Sequence, residues 1–320
     1  MYDGLIKLDL PKDFLMEEVR CGYTVSRQMK EVWAVQLDLF AEFDRVCRKH
    51  NITYIASGGT MLGAARHKGY IPWDDDIDLM LMRDQYDRLC EVAPQEFKYP
   101  YFFQFEGTEP SMHRWFARLR NSNTTAIQKQ ELCFHPKYNQ GIFIDIFPLD
   151  GVPDNKKEYE RLRKVYFRHR LLYDRYYSLY YSYWSDQYPL WKKCVKKTIN
   201  VILGGLIEKL HIIHHVYCKV EDICKSYSYK ETELVSLLTF QIDNLGHALL
   251  RSDVCNIMYV DFEFLKMPIP TNYDEHLHRK YGDYMTPQNN PNYHGDVIFD
   301  TNIGYEEYYK KHEELTRKNI

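Results

Sequence analysis

With 320 residues, 45% hydrophobic and 27% charged, the chain is long enough to bury a full core as one large domain or two. A net charge of −3 gives no overall drive toward nucleic acid. Eight scattered cysteines (Cys21, Cys47, Cys90, Cys133, Cys194, Cys218, Cys224, Cys255) with no CxxC pair argue against a zinc knuckle or a disulfide framework.

The N-terminal MYDGLIKLDLPKDF has no basic stretch followed by an apolar one, so it does not read as a signal peptide. The longest apolar run, Val201 to Ile207, is too short to span a bilayer. These features point to a soluble or peripheral protein of the cytosol. From Arg27 to His50, Met29, Trp33, Leu37, Phe40, Phe43 and Cys47 recur at three- and four-residue spacings with charges between them, an amphipathic helix. Ile52 to Ala56 is a β-branched and aromatic run, a strand. Ser57-Gly58-Gly59-Thr60 then turns the chain into a short helix over Met61 to Arg66. Ile77 to Met82 is the next strand, and Asp84 reads as the N-cap of a helix through Cys90. Arg114 to Arg120 alternates as a further strand, and so does Gly141 to Asp150, with Pro148 closing it. Helices and strands interleave, so the first 150 residues read as α/β or α+β around a central sheet.

The segment Lys156 to Lys197 differs. Twelve Lys/Arg face four Asp/Glu there, a net of +8 that leaves −11 for the rest of the chain. Tyr159, Tyr166, Tyr173 and Tyr180 fall seven apart, a helix with an aromatic stripe that reads as core packing rather than a ligand box. After Pro189, Trp191, Val195, Ile199, Ile202, Leu206 and Leu210 form one face, opposed by Lys192, Lys193, Lys196 and Lys197. That basic face reads first as a solvated surface, with a peripheral membrane contact through 191–210 as the alternative. Helices fill Glu221 to Leu250, and a helix-like Tyr273 to Tyr281 follows the Pro-Ile-Pro at 268–270. The expected division is a catalytic core at 1–150, a helical Tyr-rich insertion at 151–255, and a C-terminal segment at 256–320 packing back on the core.

The chemistry concentrates between Ser57 and Met82. Asp74, Asp75 and Asp76 abut Ile77-Asp78-Leu79, and carboxylates so crowded repel one another unless a cation intervenes. An isolated run of three aspartates is more often a solvated loop. Here strand alternation puts Asp76 and Asp78 on one face, and Asp145, flanked by Ile144 and Ile146, offers a third carboxylate on a neighbouring strand. The alternation leaves Asp74 and Asp75 beside the site. Gly58 and Gly59 let backbone N–H groups approach a phosphate, and Arg66, His67 and Lys68 place cations nearby. Arg118 and Arg120 on the alternating strand are further candidates for anion contact. Strand, glycine turn, helix, basic run and D-x-D together favour a metal-dependent site for a phosphate-bearing substrate.

The order of these blocks resembles the nucleotidyltransferase superfold of polymerase-β type. More specifically, GGTMLGAARHKGYIPWDDDIDLMLMRDQYDRL resembles the signature of the LicD family, and FIDIFPLDG and PIPTNYDEHLHRKYGDYM resemble its later blocks. The resemblance implies an α+β fold: a nucleotidyltransferase-like mixed sheet core with helices and a large helical insertion. It implies transfer of phosphocholine from CDP-choline to a hydroxyl of a teichoic acid or lipopolysaccharide sugar, releasing CMP. Asp76, Asp78 and Asp145 would then be both the catalytic carboxylates and the ligands of Mg²⁺ (or Mn²⁺). Gly58, Gly59 and Thr60 would hold the donor phosphates, and Arg66, His67 and Lys68 would stabilise the diphosphate. Asp75, Arg118, Arg120 and His294 join them as substrate-binding candidates. Trp73, Trp115 and the tyrosines could cage a quaternary ammonium. The implied partners are a CDP-alcohol and a glycan acceptor, lipid-linked in one version, met in the cytoplasm at the inner face of the membrane. Competing readings keep the site and change the cargo to glycerol, ribitol or ethanolamine phosphate. Others make the reaction nucleotidyl transfer from a triphosphate, or keep the fold as a non-catalytic nucleotide-binding module.

Overall fold

An antiparallel hairpin of β1 (Glu18–Arg20) and β2 (Tyr23–Val25) leads into α1 (Arg27–Lys49). Ser26 caps α1 by accepting the Met29 N–H at 3.2 Å, and Arg48 and Lys49 complement the helix dipole in its last turn. The sequence pattern predicts one solvated face, but the helix is buried without interruption from Lys30 to Phe40. Its polar residues are anchors: Glu31 accepts from the Thr301 hydroxyl at 2.9 Å, and Lys30 pairs with Glu18. Asp38 accepts the N–H groups of Lys7 and Leu8 and the hydroxyl of Tyr101, each at 2.8 Å. Burial pushes its carboxyl upward despite those bonds.

The computed structural model describes residues 4–110, 112, 114–132, 138–180, 189, 191, 194–195, 198, 205–287 and 297–318. Two compact units separate: Met1–Leu149 with Leu249–Ile320, and Asp150–Ala248. In the first, β3 (Ile55–Ala56), α2 (Gly58–His67), β4 (Asp78–Met82), α3 (Arg83–Glu96), β5 (Tyr101–Gln104), β6 (Ala117–Asn121), β7 (Thr125–Gln128) and β8 (Ile142–Val152) follow one another. The central sheet is mixed. β3 is antiparallel to β4, β4 parallel to β8, and β6 antiparallel to both β8 and β5. This mixed sheet with helices is consistent with an α+β fold.

Several boundaries move from their sequence-based positions. The first strand is two residues long, because Ile52 to Tyr54 lie outside the ladder. Asp84 is not an N-cap: α3 begins at Arg83 with Met82 in the cap position, and Asp84 sits in the first turn, where the helix dipole favours it. Pro148 does not end its strand. It follows Ile146, the last residue paired with β6, so its missing N–H is tolerated and β8 runs on to Val152.

In the second unit the last residues of β8 pair with β9 (Leu234–Ser236), a strand inside the stretch expected to be helical. Around it lie α4 (Lys156–Tyr180), α5 (Gly205–Lys209), α6 (Ile212–Cys224) and α7 (Leu238–Gln241), with α4 packed on α6. Leu162, Tyr166 and Tyr173 of the α4 stripe are buried, and the Tyr166 hydroxyl donates to the Thr239 carbonyl at 2.6 Å. These tyrosines are core. Of the apolar face expected after Pro189, Trp191, Val195, Leu206 and Leu210 are exposed, and its remaining members and opposing lysines lie outside the described residues.

The chain then returns to the first unit through β10 (Leu249–Leu250), α8 (Arg251–Cys255), the hairpin β11 (Ile257–Phe262) and β12 (Leu265–Pro270), α9 (Tyr273–Tyr281), β13 (Val297–Asp300) and α10 (Tyr305–Lys318). β13 is antiparallel to β7, while β12 packs on β3 and α9 on α2. No helix among the described residues is long and apolar enough to cross a membrane.

Candidate active site

The site is built where β3 hands over to α2. Gly58 opens the helix at φ +48°, in the left-handed region that favours glycine. A Cβ there would stand 3.5 Å from Asp78 Oδ2 and 4.0 Å from Lys280 Nζ; at Gly59 it would fall 2.5 Å from Asp74 Oδ2. The two glycines bring bare backbone directly against the carboxylates. Thr60 is buried, and its hydroxyl accepts the Asp78 N–H at 2.8 Å, so it ties α2 to the start of β4. The Ser57 N–H donates to the Asp78 carbonyl at 2.9 Å and closes the same corner.

β4 and β8 run parallel with Asp78 level with Asp145, and Arg118 of β6 lies opposite Asp145 on the other side. The pairing reaches back one residue, through the Asp145 N–H to the Ile77 carbonyl at 2.9 Å. The aspartates before it lie in a turn and extended coil that α1 holds from below. Trp33 Nε1 donates to the Asp74 carbonyl at 3.0 Å, and Gln36 Nε2 to the Asp75 carbonyl at 2.6 Å. Tyr70 stacks on Trp33, with centroids 4.4 Å apart and planes 2° from parallel, and its hydroxyl donates to Gln36 Oε1 at 3.1 Å.

The carboxylates do crowd. Burial, then the charges of Asp78, Asp74, Asp75 and Asp145, push the Asp76 carboxyl well above the usual range. Among the described residues, Asp74, Asp75 and Asp76 each offer a carboxylate oxygen within 4.8 Å of the others. Asp145 is held instead by Arg118, whose Nε and Nη2 reach its two oxygens at 2.6 and 3.2 Å. Both partners are buried, and the guanidinium sits 3.7 Å from the centroid of the Phe143 ring. Hard carboxylate oxygens gathered beside a backbone open to a phosphate are a donor set that fits Mg²⁺.

The basic run is not a trio of free cations. Arg66 Nη1 donates to the Tyr284 carbonyl at 2.5 Å and its Nε to His67 Nε2 at 2.9 Å. Burial, with Arg66 and Arg20 alongside, lowers His67 to about 4, so at neutral pH it is an uncharged imidazole. Lys68 is exposed and ends α2 in the left-handed conformation. Arg120, two residues further along β6 than Arg118, is buried and donates to Gln104 Oε1 and the Gly141 carbonyl, each at 2.6 Å. Trp73 is half-buried, edge-on to Tyr23 at 6.1 Å and to His67 at 6.5 Å, whereas Trp115 is buried. His294 lies outside the described residues.

Two residues that sequence reasoning left without a role stand at the site, both at the end of α9. Lys280 faces Asp78 across Gly58, and burial lowers its pKa while Asp78 raises it. The Tyr281 hydroxyl is pushed up to about 12 by burial and then by Asp74 and Asp78, with Arg66 opposing. The stretch HRKYGDYM was the available signal, but nothing in it shows that α9 packs on α2.

A family model described as LicD/FKTN/FKRP, nucleotidyltransferase domain, matches residues 51–177. The chain is similar to the lipopolysaccharide cholinephosphotransferase LicD of Haemophilus influenzae, with 28% identity over 262 residues, covering 80% of this chain and 91% of that protein. It is also similar to an uncharacterized protein of Rickettsia prowazekii, 37% identical over 68 residues, covering 21% of this chain and 26% of that one. A second uncharacterized protein, from Rickettsia typhi, is 39% identical over 57 residues, 18% of either chain.

Two stability outcomes follow from this geometry. Arg118→Met leaves the Asp145 carboxylate buried without its counter-charge and is expected to destabilise the chain by about 3–5 kcal/mol. The double variant Arg118→Met with Asp145→Leu should recover most of that loss, as urea denaturation would measure; equal losses in both would refute the pairing. For His67 the folded pKa is about 4 against an ordinary 6.5, so the folded state prefers the neutral ring. Its contribution is full above pH 6.5 and is lost as the pH falls toward 4. Thermal melts of His67→Asn should therefore show a shallower decline between those limits than the natural chain.

Proposed function

The chain belongs to the LicD family and is a phosphotransferase; from that premise we propose that it moves phosphocholine from CDP-choline to a hydroxyl of a cell-surface glycan, releasing CMP, with Mg²⁺ as cofactor. The observation that carries this reading is the level placement of Asp78 and Asp145 on adjacent parallel strands, beside Asp74 to Asp76 and the bare backbone of Gly58 and Gly59. The cargo is supported by the activity for which the Haemophilus influenzae relative is named and by the half-buried Trp73 edge-on to Tyr23, aromatic surface of the kind that receives a quaternary ammonium. For the acceptor, a lipopolysaccharide or teichoic acid precursor carries the required hydroxyl.

Asp76 and Asp78, with Asp74 or Asp75, would hold the metal, and Asp145 would complete the set. A metal ion bound there would supply positive charge to the donor's phosphate oxygens and to the leaving nucleotide. The acceptor oxygen forms a bond to the phosphorus that carries choline. The bond from that phosphorus to the bridging oxygen breaks, and the oxygen departs as part of CMP. The hydroxyl proton passes to a carboxylate, Asp145 in our assignment, which Arg118 keeps in one orientation. Arg66 is anchored on the Tyr284 carbonyl, so it contributes a fixed positive field rather than a mobile contact. We further place the reaction at the inner face of the cytoplasmic membrane, where a lipid-linked acceptor would be met. The exposed Trp191, Val195, Leu206 and Leu210 near a lysine-rich stretch support that placement.

Asp78→Ala should lower CMP release from CDP-choline, in Mg²⁺ and with an acceptor glycan, on the order of a thousandfold, because charge stabilisation at the phosphoryl group is lost. Chelation should do the same to the natural chain. Full activity in the variant would end the metal assignment, and CMP release from CDP-glycerol, CDP-ribitol or CDP-ethanolamine alone would change the cargo. The membrane placement predicts sedimentation with anionic vesicles at low salt and release at high salt; no sedimentation at low salt would remove it.

A further inference from the structure

Among the described residues, Lys280 differs from the arginines near the carboxylates. Arg118 is closed onto Asp145, and Arg66 onto Tyr284 and His67. Arg120 is closed onto Gln104 and Gly141, and Arg20 onto Glu263 at 2.5 and 2.8 Å. Lys280 is half-buried on the last turn of α9, and among the described residues its ammonium makes no hydrogen bond and no ion pair. Its ammonium lies 5.2 Å from the centroid of the Tyr281 ring. An ammonium carries three donors, and withdrawing them from water without an acceptor is costly.

The place it faces is defined by the missing side chain at Gly58. The point where a Cβ would sit is 4.0 Å from Lys280 Nζ and 3.5 Å from Asp78 Oδ2. One ligand atom there would touch both heads without displacing either, and only glycine leaves it open. Opposite charges held apart in this way suit a group that is negative toward the lysine and shares a cation with the aspartate. A phosphate does both, since one oxygen can accept from the ammonium in a charge-assisted bond while others meet the metal side.

We propose that Lys280 and the bare backbone of Gly58 form the seat for the diphosphate of the donor, with Lys280 as a substrate-contacting residue that positions the phosphate against Asp78. This deepens the transferase reading and rests on it for the identity of the donor. The lysine arrives from the far end of the chain, more than two hundred residues after Gly58, so the seat exists only when α9 is docked on α2.

Calorimetric titration in Mg²⁺ with CDP and, separately, with inorganic pyrophosphate tests the proposal without turnover. Lys280→Met is expected to weaken CDP binding about tenfold to a hundredfold, the loss of one charged hydrogen bond, with Lys280→Arg falling between it and the natural chain. Gly58→Ala, which fills the point between the two heads, should weaken CDP in parallel. Circular dichroism of each variant checks that it is folded. CDP binding by folded Lys280→Met within about twofold of the natural chain would overturn the seat. If pyrophosphate binds in a Lys280-dependent way while CDP binds no better than pyrophosphate, the seat stands and the cytidine donor falls. A natural chain that binds neither overturns both.

Discussion

Mutual repulsion among carboxylates is the constraint around which the first unit is arranged. Asp74, Asp75, Asp76 and Asp78 sit within five residues of one another, and Asp145 joins them from the next strand. Two like charges about 4 Å apart cost roughly 4 kcal/mol at an effective dielectric of about 20, so such a group has to be held by bonds that do not depend on its charge. The structure does this through the backbone. Trp33 and Gln36 grip the Asp74 and Asp75 carbonyls, Thr60 and Ser57 grip Asp78 on its N–H and carbonyl, and Ile77 grips the Asp145 N–H. These bonds fix the backbone whatever the charge on the side chains.

The same arrangement explains why a helix as polar as α1 lies in the middle of the unit. Its Trp33 and Gln36 face the aspartate loop, Asp38 gathers the N-terminal segment and Tyr101, and Glu31 reaches Thr301 near the C-terminus. Each of these buried polar groups of α1 is answered by a partner. Glu263 plays a comparable part on the returning chain. It accepts from Arg20 through two bonds and from the Tyr70 N–H at 3.1 Å, so β11 and β12 are tied to the platform under the aspartates.

Three basic residues close to the carboxylates illustrate how environment decides role. Arg118 is closed onto Asp145 by two bonds and holds that carboxylate in one orientation. His67 is neutral because burial and two neighbouring guanidinium groups oppose its charge. Lys280 remains open. Closeness in sequence to the aspartates is therefore no guide to what surrounds a basic residue, and the lysine that faces Asp78 comes from the other end of the chain.

Much was legible from residues alone. Helical spacing located α1 and α9, alternation located β4 and the start of β8, and the conjunction of Gly58-Gly59, Asp76, Asp78 and Asp145 pointed to phosphate chemistry. These signals are local: period, turn chemistry and charge density are written in neighbouring positions. What the sequence by itself determined is the chemical type of the site and the elements that flank it. The level placement of Asp78 with Asp145, the capture of Asp145 by Arg118, the burial of Arg120, the neutrality of His67 and the arrival of Lys280 were decided only by tertiary structure. Each depends on which distant strand or helix packs beside it, because pairing register and desolvation are properties of the folded neighbourhood rather than of any stretch of chain.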